Sequence, residues 1–306
     1  MAVIEVEGLV KTYDDRNVVD SVSFSVEAGE IFGIVGPNGA GKTTIVESVE
    51  GLRRPDGGSI RVLGLEPIAD RKQITQRVGA QLQESRLQDK VRVGEVLDTY
   101  ASFYDDPADW RELMGRFGLQ GKERARYRDL SGGQKQRLSA ALALVGSPEI
   151  AILDELTTGL DPAARRSTWD TVEQIRESGV TVVLVTHFMD EAERLCDRIM
   201  VVVDGHARAI ETPSDLIRLA GFEHTLRFYP SSPIDGDALA GLPDVTRVDQ
   251  AGREVVVSGT SDVIYSVVLA LAQADVVAHD LRIEQANLED AYLSLTGSRP
   301  GEEVGD

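Results

Sequence analysis

The segment "GPNGAGKTT" at residues 36–44 matches the pattern G-x-x-x-x-G-K-[ST], which binds nucleotide phosphates when it joins a strand to a helix. Its glycines, Gly36 and Gly41 among them, let backbone N–H groups converge on phosphates without Cβ clashes, and a following helix start favours anions. Lys42 is expected to reach the β- and γ-phosphates, and Thr43 to offer its hydroxyl to Mg²⁺. Further residues expected at this nucleotide site are Asn38, Gly39 and Thr44.

The sequence around this loop predicts an α/β fold with a parallel sheet. The alternating N-terminal segments "AVIEVEGLV" and "VVDSVSFSVEAGEIFGIVG" suggest antiparallel strands that lead into a buried one. Three apolar runs, at 31–35, 149–154 and 179–187, are typical of strands covered on both faces. Each run is followed or ended by residues capable of phosphate chemistry. Because the carboxyl ends of parallel strands meet at one edge of a sheet, we expect one shared site there.

Polar side chains at these strand ends are the candidate catalytic residues. In "ILDE", we expect Asp154 to hold Mg²⁺, directly or through water, and Glu155 to accept a proton from an attacking water. Solvated charges at a strand end are the alternative. His187 is a candidate for contact with the γ-phosphate, or else a core or helix-capping histidine. Gln83 could orient water and ligate Mg²⁺, or it could simply face solvent.

Two features lie outside the strand ends. Tyr13, near the tip of the first predicted hairpin, offers a face for stacking on adenine, with ordinary surface packing as the alternative. "LSGGQKQR" at 130–137 has two glycines after a serine, leading into a predicted helix. The loop at 36–44 already surrounds one triphosphate. The second motif is therefore either idle or serves the nucleotide of another chain.

Taken in order along the chain, these motifs resemble the nucleotide-binding subunit of ABC transporters over about residues 3–220. The family's motifs occur in its order: the Walker A loop at 36–44, the Q-loop at Gln83, the signature at 130–137, the Walker B motif with its catalytic acid in "ILDE", and the switch histidine at His187. The D-loop fits "GLD", which ends at Asp161. One departure is Leu156, where the family usually has proline after the catalytic glutamate. Losing that proline loosens the connection slightly but removes no chemical group.

The resemblance implies a P-loop ABC ATPase core: a mixed sheet, an antiparallel β-subdomain and an inserted helical subdomain at about residues 84–135. It implies ATP and Mg²⁺ as cofactors, and a homodimer of two subunits packed head to tail. The signature of each subunit then faces the ATP bound by the other. Residues implied at that shared nucleotide are Ser131, Gly132, Gly133, Gln134 and Asp161.

Composition divides the 306-residue chain into two domains and a tail. From Glu223 onward there are 15 acidic and 5 basic residues, so we predict an ATP-binding domain at 1–222 and a small accessory or regulatory domain at 223–298. Residues 224–283 predict strand, helix, strand, strand, helix, strand, an order typical of ferredoxin-like α+β domains. Residues 299–306 predict a disordered tail. The formal net charge of −19 argues against direct nucleic acid binding.

Within the family, "QLQES" and "LEDAYLSLTG" (residues 288–297), with a small domain after the ATPase, look most like daunorubicin-resistance ATPases. That resemblance implies antibiotic resistance by export of a drug-like or lipophilic compound through a separate ABC-2 type permease. The acidic N-terminus and the lack of an apolar run of about 18 residues predict a cytoplasmic chain, held at the inner membrane face by that permease.

Two other functions and three uses of the small domain stay open. One rival is a non-transport ABC ATPase that acts as a mechanical switch on nucleic acid or ribosomes, which the acidic charge disfavours. The other is a module that senses nucleotide without turnover. The small domain is expected to brace the dimer, contact the permease or sense a ligand. Bracing is favoured because "VIYSVVLALA" predicts an apolar helix face.

Overall fold

The computed structural model describes residues 1–81, 87–219, 224–260 and 262–296. The chain packs as two compact units that divide between Thr212 and Pro213. This division lies earlier than residue 222, where the change in composition placed it. The first unit carries all the nucleotide motifs, and each unit has its own hydrophobic core.

The first unit contains two sheets. Its strands are β1 (Ala2–Tyr13), β2 (Arg16–Glu27), β3 (Ile31–Val35), β4 (Gly57–Val62), β5 (Val78–Gln81), β6 (Ile150–Asp154), β7 (Thr181–Thr186), β8 (Arg198–Val203) and β9 (His206–Glu211). Strands β2, β1 and β4 form an antiparallel sheet in that order. The larger, six-stranded sheet has the order β5-β6-β7-β3-β8-β9. It is mixed, because β9 runs antiparallel to β8 while the other pairs are parallel.

The parallel strands position the site. Every residue of β3, β6 and β7 is buried, as expected for strands covered on both faces. The sheet places β7 between β6 and β3, so the three predicted runs are neighbours and end at the same edge. The prediction that their carboxyl ends share one edge is therefore confirmed.

The helices of the first unit cover this sheet and form the helical insertion. They are α1 (Lys42–Val49), α2 (Arg71–Arg77), α3 (Val93–Ala101), α4 (Trp110–Arg116), a 3-10 turn (Tyr127–Asp129), α5 (Gly132–Leu144), α6 (Pro162–Glu177) and α7 (Met189–Leu195). Helices α3, α4 and α5 contact one another. Between β5 and β6 they form the helical part that the sequence predicts at about 84–135, of which residues 84–86 lie outside the described chain.

The main core lies between the two sheets and includes the helix that follows the phosphate loop. Ile45, Val46 and Val49 of α1 pack with apolar residues of the antiparallel sheet and of the parallel sheet. Phe24 of β2 stacks on Phe32 of β3 with 5.5 Å between ring centroids. The phosphate loop is thus held between a buried strand and a buried helix, which makes its backbone a rigid scaffold for a ligand.

The second unit has the element order that the sequence predicts for residues 224–283. Its elements are α8 (Pro213–Leu219), β10 (His224–Pro230), α9 (Gly236–Ala240), β11 (Val245–Ala251), β12 (Glu254–Gly259), α10 (Val263–Gln273), β13 (Ala278–Gln285) and α11 (Leu288–Thr296). The sheet is antiparallel in the order β11-β12-β10-β13, and its core includes apolar residues of α9 and α10. Helices α8 and α11 pack on each other, which places α8 in this unit.

In the described part of the chain, no helix combines the length and the apolar character needed to cross a membrane.

Candidate functional site

The phosphate loop joins β3 to α1, which is the context that its pattern requires. Gly39 and Gly41 have φ of +78° and +100°, conformations that are cheap only for glycine. The buried Lys42 donates from Nζ to the carbonyl oxygens of Gly36 and Pro37, both at 2.8 Å. These bonds hold the ammonium group against the loop, where it can exchange carbonyl partners for phosphate oxygens.

Close packing also requires glycine at two loop positions. A Cβ added to Gly36 would lie 2.2 Å from the carbonyl oxygen of Val202, and one added to Gly41 would lie 2.6 Å from that of Val18. The loop is therefore wedged against β8 and β2. Within the described chain no side chain caps α1, so the N–H groups of its first turn are left for an anion. Thr43 is exposed at this turn and Thr44 is half-buried.

Asp154 lies at the end of β6, within electrostatic reach of the phosphate loop. Its side chain is only 8% exposed, and burial together with the neighbouring Glu155 raises its pKa to about 6, against the opposing effect of Lys42. Burial also lowers the pKa of Lys42, which Glu155 and Asp154 counteract. A buried carboxylate whose charge is only partly compensated fits a divalent cation. Asp154 and the hydroxyl of Thr43 would hold Mg²⁺ here.

Glu155 has a left-handed backbone and a direct partner in His187. Its φ of +48° is uncommon for a residue other than glycine, and its N–H donates to the carbonyl oxygen of Val185 at 2.9 Å. Nδ1 of His187 lies 3.2 Å from Oε1 of Glu155. Leu156, which stands where the family has proline, is buried at the start of the next loop. The two strand ends therefore bring a carboxylate and an imidazole together, as the predicted shared site requires.

The signature motif starts helix α5 with a capping box. The hydroxyl of Ser131 accepts from the N–H of Gln134 at 3.3 Å, and Oε1 of Gln134 accepts from the N–H of Ser131 at 3.0 Å. Ser131 and Gly132 are exposed to solvent in the single chain. A Cβ added to Gly133 would lie within van der Waals distance of Leu160 and Ala164, so the signature adjoins the D-loop.

Asp161 of the D-loop is the N-cap of α6. Its Oδ1 accepts from the N–H groups of Ala163 and Ala164, both at 2.9 Å, and Pro162 follows at the first helical position. The predicted contact of Asp161 with a shared nucleotide stays a prediction. Its side chain already caps α6 within its own chain. The sequence Asp-Pro, which is typical of a helix start, could have indicated this role.

Tyr13 ends β1 in the hairpin whose second strand packs on the phosphate loop through Val18. Its hydroxyl accepts from Nη1 of Arg53 at 2.9 Å, and Nζ of Lys11 lies 5.4 Å from the ring centroid. The two cations beside the ring, Lys11 and Arg53, would attract the negatively charged phosphates of a nucleotide. Adenine stacking on Tyr13 stays a prediction.

Gln83, predicted to orient water and ligate Mg²⁺, lies outside the described residues. Among the residues that the structure describes, no group of three or more His, Cys, Asp or Glu side chains could hold a metal ion. The donors expected for Mg²⁺ are of a different kind, namely a hydroxyl, a side-chain amide and a single carboxylate, supplemented by phosphate oxygens.

Sequence reasoning missed Glu50, a buried carboxylate after the last turn of α1. It is 8% exposed, and burial, with Glu47 and Asp154 as smaller causes, raises its pKa to about 7. Positions 43, 47 and 50 follow the i, i+4, i+7 spacing of one helix face, so Glu50 continues the face that starts at Thr43. That spacing was the available signal, and the burial comes from tertiary packing.

A phosphate loop, a strand-end acid pair and an adjoining histidine at the ends of neighbouring parallel strands define a P-loop nucleotide triphosphatase. The family model described as "ABC transporter" matches residues 19–158. Over 305 residues the chain is 38% identical to a Nod factor export ATP-binding protein I of Rhizobium etli, covering 97% of this chain and 94% of that protein. The chain belongs to the ABC transporter family, as an ATP-hydrolysing subunit.

Other relatives and solved structures agree with this assignment. A Nod factor export ATP-binding protein I of Paraburkholderia xenovorans is 38% identical over 306 residues, with 97% of each chain covered. A solved ATP-binding subunit of an ABC transporter has a TM-score of 0.65 at 27% identity, covering 71% of this chain and 92% of that one. A bacterial ABC transporter cassette solved as a dimer has a TM-score of 0.62 at 25% identity, with 68% and 98% covered.

Proposed function

We propose that this chain is the ATPase subunit of an exporter and drives a separate membrane permease of the ABC-2 type. Relatives that match nearly its whole length bear the name of an export ATP-binding protein, which supports export. We further propose a drug-like or lipophilic cargo, as in the daunorubicin-resistance type, and a position on the inner face of the membrane through the permease. Co-purification with a membrane protein encoded beside it would test the pairing, and a partner of another permease class would contradict it.

The observation that carries the catalytic proposal is the 3.2 Å contact between Glu155 and His187 at the carboxyl end of the sheet. Lys42 and the loop N–H groups bind the β- and γ-phosphates, while Asp154 and Thr43 would hold the cation. When bound, Mg²⁺ neutralises charge on the phosphate oxygens. Glu155 takes a proton from the water whose oxygen attacks the γ-phosphorus, and the bond to the β–γ bridging oxygen breaks, releasing ADP and phosphate. His187 contacts the γ-phosphate and orients Glu155.

Two copies of the chain close around two ATP molecules in this proposal. Each phosphate loop holds one ATP, and the exposed Ser131 and Gly132 of one subunit face the γ-phosphate held by the other. ATP then forms part of the interface, so its hydrolysis removes a contact that favours closure. Dimers occur among the structures to which the chain is similar.

Replacing Glu155 with Gln tests the assignment of the general base. An amide keeps the shape of the side chain but cannot take the proton, so we expect steady-state phosphate release to fall below detection. ATP binding should persist, and an ATP-bound dimer should accumulate in sedimentation velocity. Glu177→Gln, the same change at the exposed end of α6, is the matched control. Continued hydrolysis by the Glu155→Gln protein would show that another group is the base.

We also propose that the second unit is of the ferredoxin-like type and braces the dimer. Its sheet order and its two helices on the core side support the type. Helix α10 buries Val263, Val267 and Leu271 within the unit's own core. It leaves other apolar residues exposed, Tyr265 and Leu269 among them, which supports a contact with a second copy.

A further inference from the structure

Glu191 is a buried carboxylate in the first turn of α7, four residues after His187. It is 1% exposed, and the indole Nε1–H of Trp169 donates to its Oε1 at 3.1 Å. Trp169 belongs to α6, the helix that starts at the D-loop residue Asp161. A carboxylate removed from water is destabilising unless several donors compensate it. The surroundings of Glu191 therefore decide what it does.

The polar groups near Glu191 come from α6 and from the two segments that carry the catalytic pair. Burial raises the pKa of Glu191, and the nearby hydroxyls of Thr186 and Thr157 and the indole of Trp169 oppose that rise. The indole is its direct hydrogen-bond donor, whereas Oε2 of Glu191 and Oγ1 of Thr157 have no hydrogen-bond partner in the described chain. Thr186 directly precedes His187 and Thr157 follows Glu155 by two residues, and neither threonine is accessible to solvent. The hydroxyl of Thr186 also accepts from the N–H of Phe188 at 3.1 Å. One carboxylate thus faces both backbone segments that position the Glu155–His187 contact.

A cation ties the same carboxylate to α6. Arg165 has a favourable electrostatic interaction with Glu191, and its Nη1 lies 3.2 Å from Oδ2 of Asp190. Its guanidinium carbon lies 4.1 Å from the ring centroid of Phe188, whose ring in turn lies 4.1 Å from that of His187. Side chains of α6 therefore contact Glu191 itself and the residues between it and His187.

We propose that Glu191 is a positioning residue that joins the loop after Glu155, the end of β7 before His187 and the helix that begins at Asp161. It fixes the position of the Glu155–His187 contact relative to the D-loop. A movement of α6 would therefore change the geometry of the catalytic pair. An apolar side chain of similar volume would fill the space equally well. It would make no directional polar interaction, so it would not fix the positions of the three segments relative to one another. This inference rests on the proposed roles of Glu155 and His187.

The test compares Glu191→Gln with Glu193→Gln in the full chain. Glu193 lies two residues further on the exposed side of α7, so the pair makes one chemical change at a buried and at an exposed position. Glutamine keeps the volume but loses the charge facing Arg165. We expect kcat for ATP to fall by between about tenfold and a hundredfold in Glu191→Gln, as for small misplacements of reacting groups. KM should change by less than about twofold, since the phosphate loop is untouched.

A second readout follows His187 directly. The chain has four histidines, and ¹⁵N-histidine spectra should show a shifted imidazole signal for His187 in Glu191→Gln, with those of His206, His224 and His279 unchanged. A role in stability alone would lower the melting temperature without the kcat loss or the selective shift. Wild-type kcat in folded Glu191→Gln protein overturns the inference.

Two further variants keep the outcome interpretable. If Glu191→Gln does not fold, Trp169→Phe removes only the indole donor and keeps an aromatic ring beside the carboxylate. It should reproduce the His187 shift with a smaller loss of kcat, and no change in either would refute the inference. Glu155→Gln is assayed in parallel. Hydrolysis by that variant counts against the proposed base, whereas its inactivity beside a fully active Glu191→Gln counts only against the positioning role.

Discussion

Replacing Glu50 with glutamine should stabilise the nucleotide-free protein at pH 8 far more than at pH 5. Glu50 follows the last turn of α1 and is buried, and its Oε2 has no hydrogen-bond partner in the described chain. Burial, Glu47 and Asp154 all disfavour its charge, as does the negative end of the helix. The amide has nearly the same shape and cannot ionise, so the change removes the charge alone.

The magnitude follows from the pKa, which rises from 4.5 to about 7 on folding. The folded state then binds the proton more tightly than the unfolded state, so stability falls as pH rises between these two values. At 1.36 kcal/mol for each unit of pKa, the loss reaches about 3 kcal/mol above pH 7. Glutamine does not ionise, so the variant does not suffer this loss. Its free energy of unfolding should exceed that of the wild type by about 3 kcal/mol at pH 8 and by less than about 1 kcal/mol at pH 5.

The assay is urea unfolding at both pH values, followed by tryptophan fluorescence. Both tryptophans, Trp110 and Trp169, lie in the first unit with Glu50, so the signal reports the relevant unit. Glu7→Gln, at an exposed position of β1, is the matched control and should show no such pH dependence. Equal effects of Glu50→Gln at pH 5 and pH 8, or a destabilisation at pH 8, would refute the reasoning.

Two further predictions concern the dimer. Ser131→Arg should leave the ATP affinity of the monomer nearly unchanged in equilibrium dialysis while removing phosphate release, because the signature serves the partner's nucleotide. A large loss of the monomer's affinity for ATP would instead show that the signature binds the nucleotide of its own chain. A chain ending at Thr212, which removes α8 together with α11, should bind ATP but dimerise less readily in sedimentation velocity. Undiminished ATP-dependent dimerisation would contradict bracing by the second unit.

The part of the fold that builds the site could be predicted from local patterns. The buried runs at 31–35, 149–154 and 179–187 became β3, β6 and β7 because continuous apolar strands are stable only when covered on both faces. Their common edge then follows from parallel pairing. The contact between Glu155 and His187 is a consequence of that edge, so residues 32 positions apart could be placed together without a structure.

The carboxylates that the sequence did not single out have no local signature. Glu50 and Glu191 each sit in a helical pattern where an acidic residue normally faces water. Their burial depends on packing against other elements, α6 and β7 for Glu191 among them. The division at Thr212 was hidden for the same reason, because α8 belongs to the second unit through its packing on α11 and not through its composition.

The capping box at Ser131 complicates the interpretation of any substitution there. Since Ser131 and Gln134 satisfy each other's backbone N–H groups, the residue types of the signature also start α5 within one chain. Ser131→Arg removes the hydroxyl acceptor, and losing an N-cap costs about 1 kcal/mol. Reduced hydrolysis could then follow from a frayed helix and not from a lost phosphate contact.

Two variants of matched shape that differ in charge separate these two causes. Aspartate and asparagine both cap helices about as well as serine, so Ser131→Asp and Ser131→Asn should each keep α5 and the melting temperature. Only the aspartate places a negative charge where the partner's γ-phosphate would lie. We therefore expect Ser131→Asp to lose ATP-dependent dimerisation and at least about 90% of phosphate release, because the aspartate and the γ-phosphate carry like charges and repel each other. Ser131→Asn should retain most of both. Equal activity of the two variants would mean that no phosphate approaches Ser131, and the head-to-tail dimer would have to be abandoned.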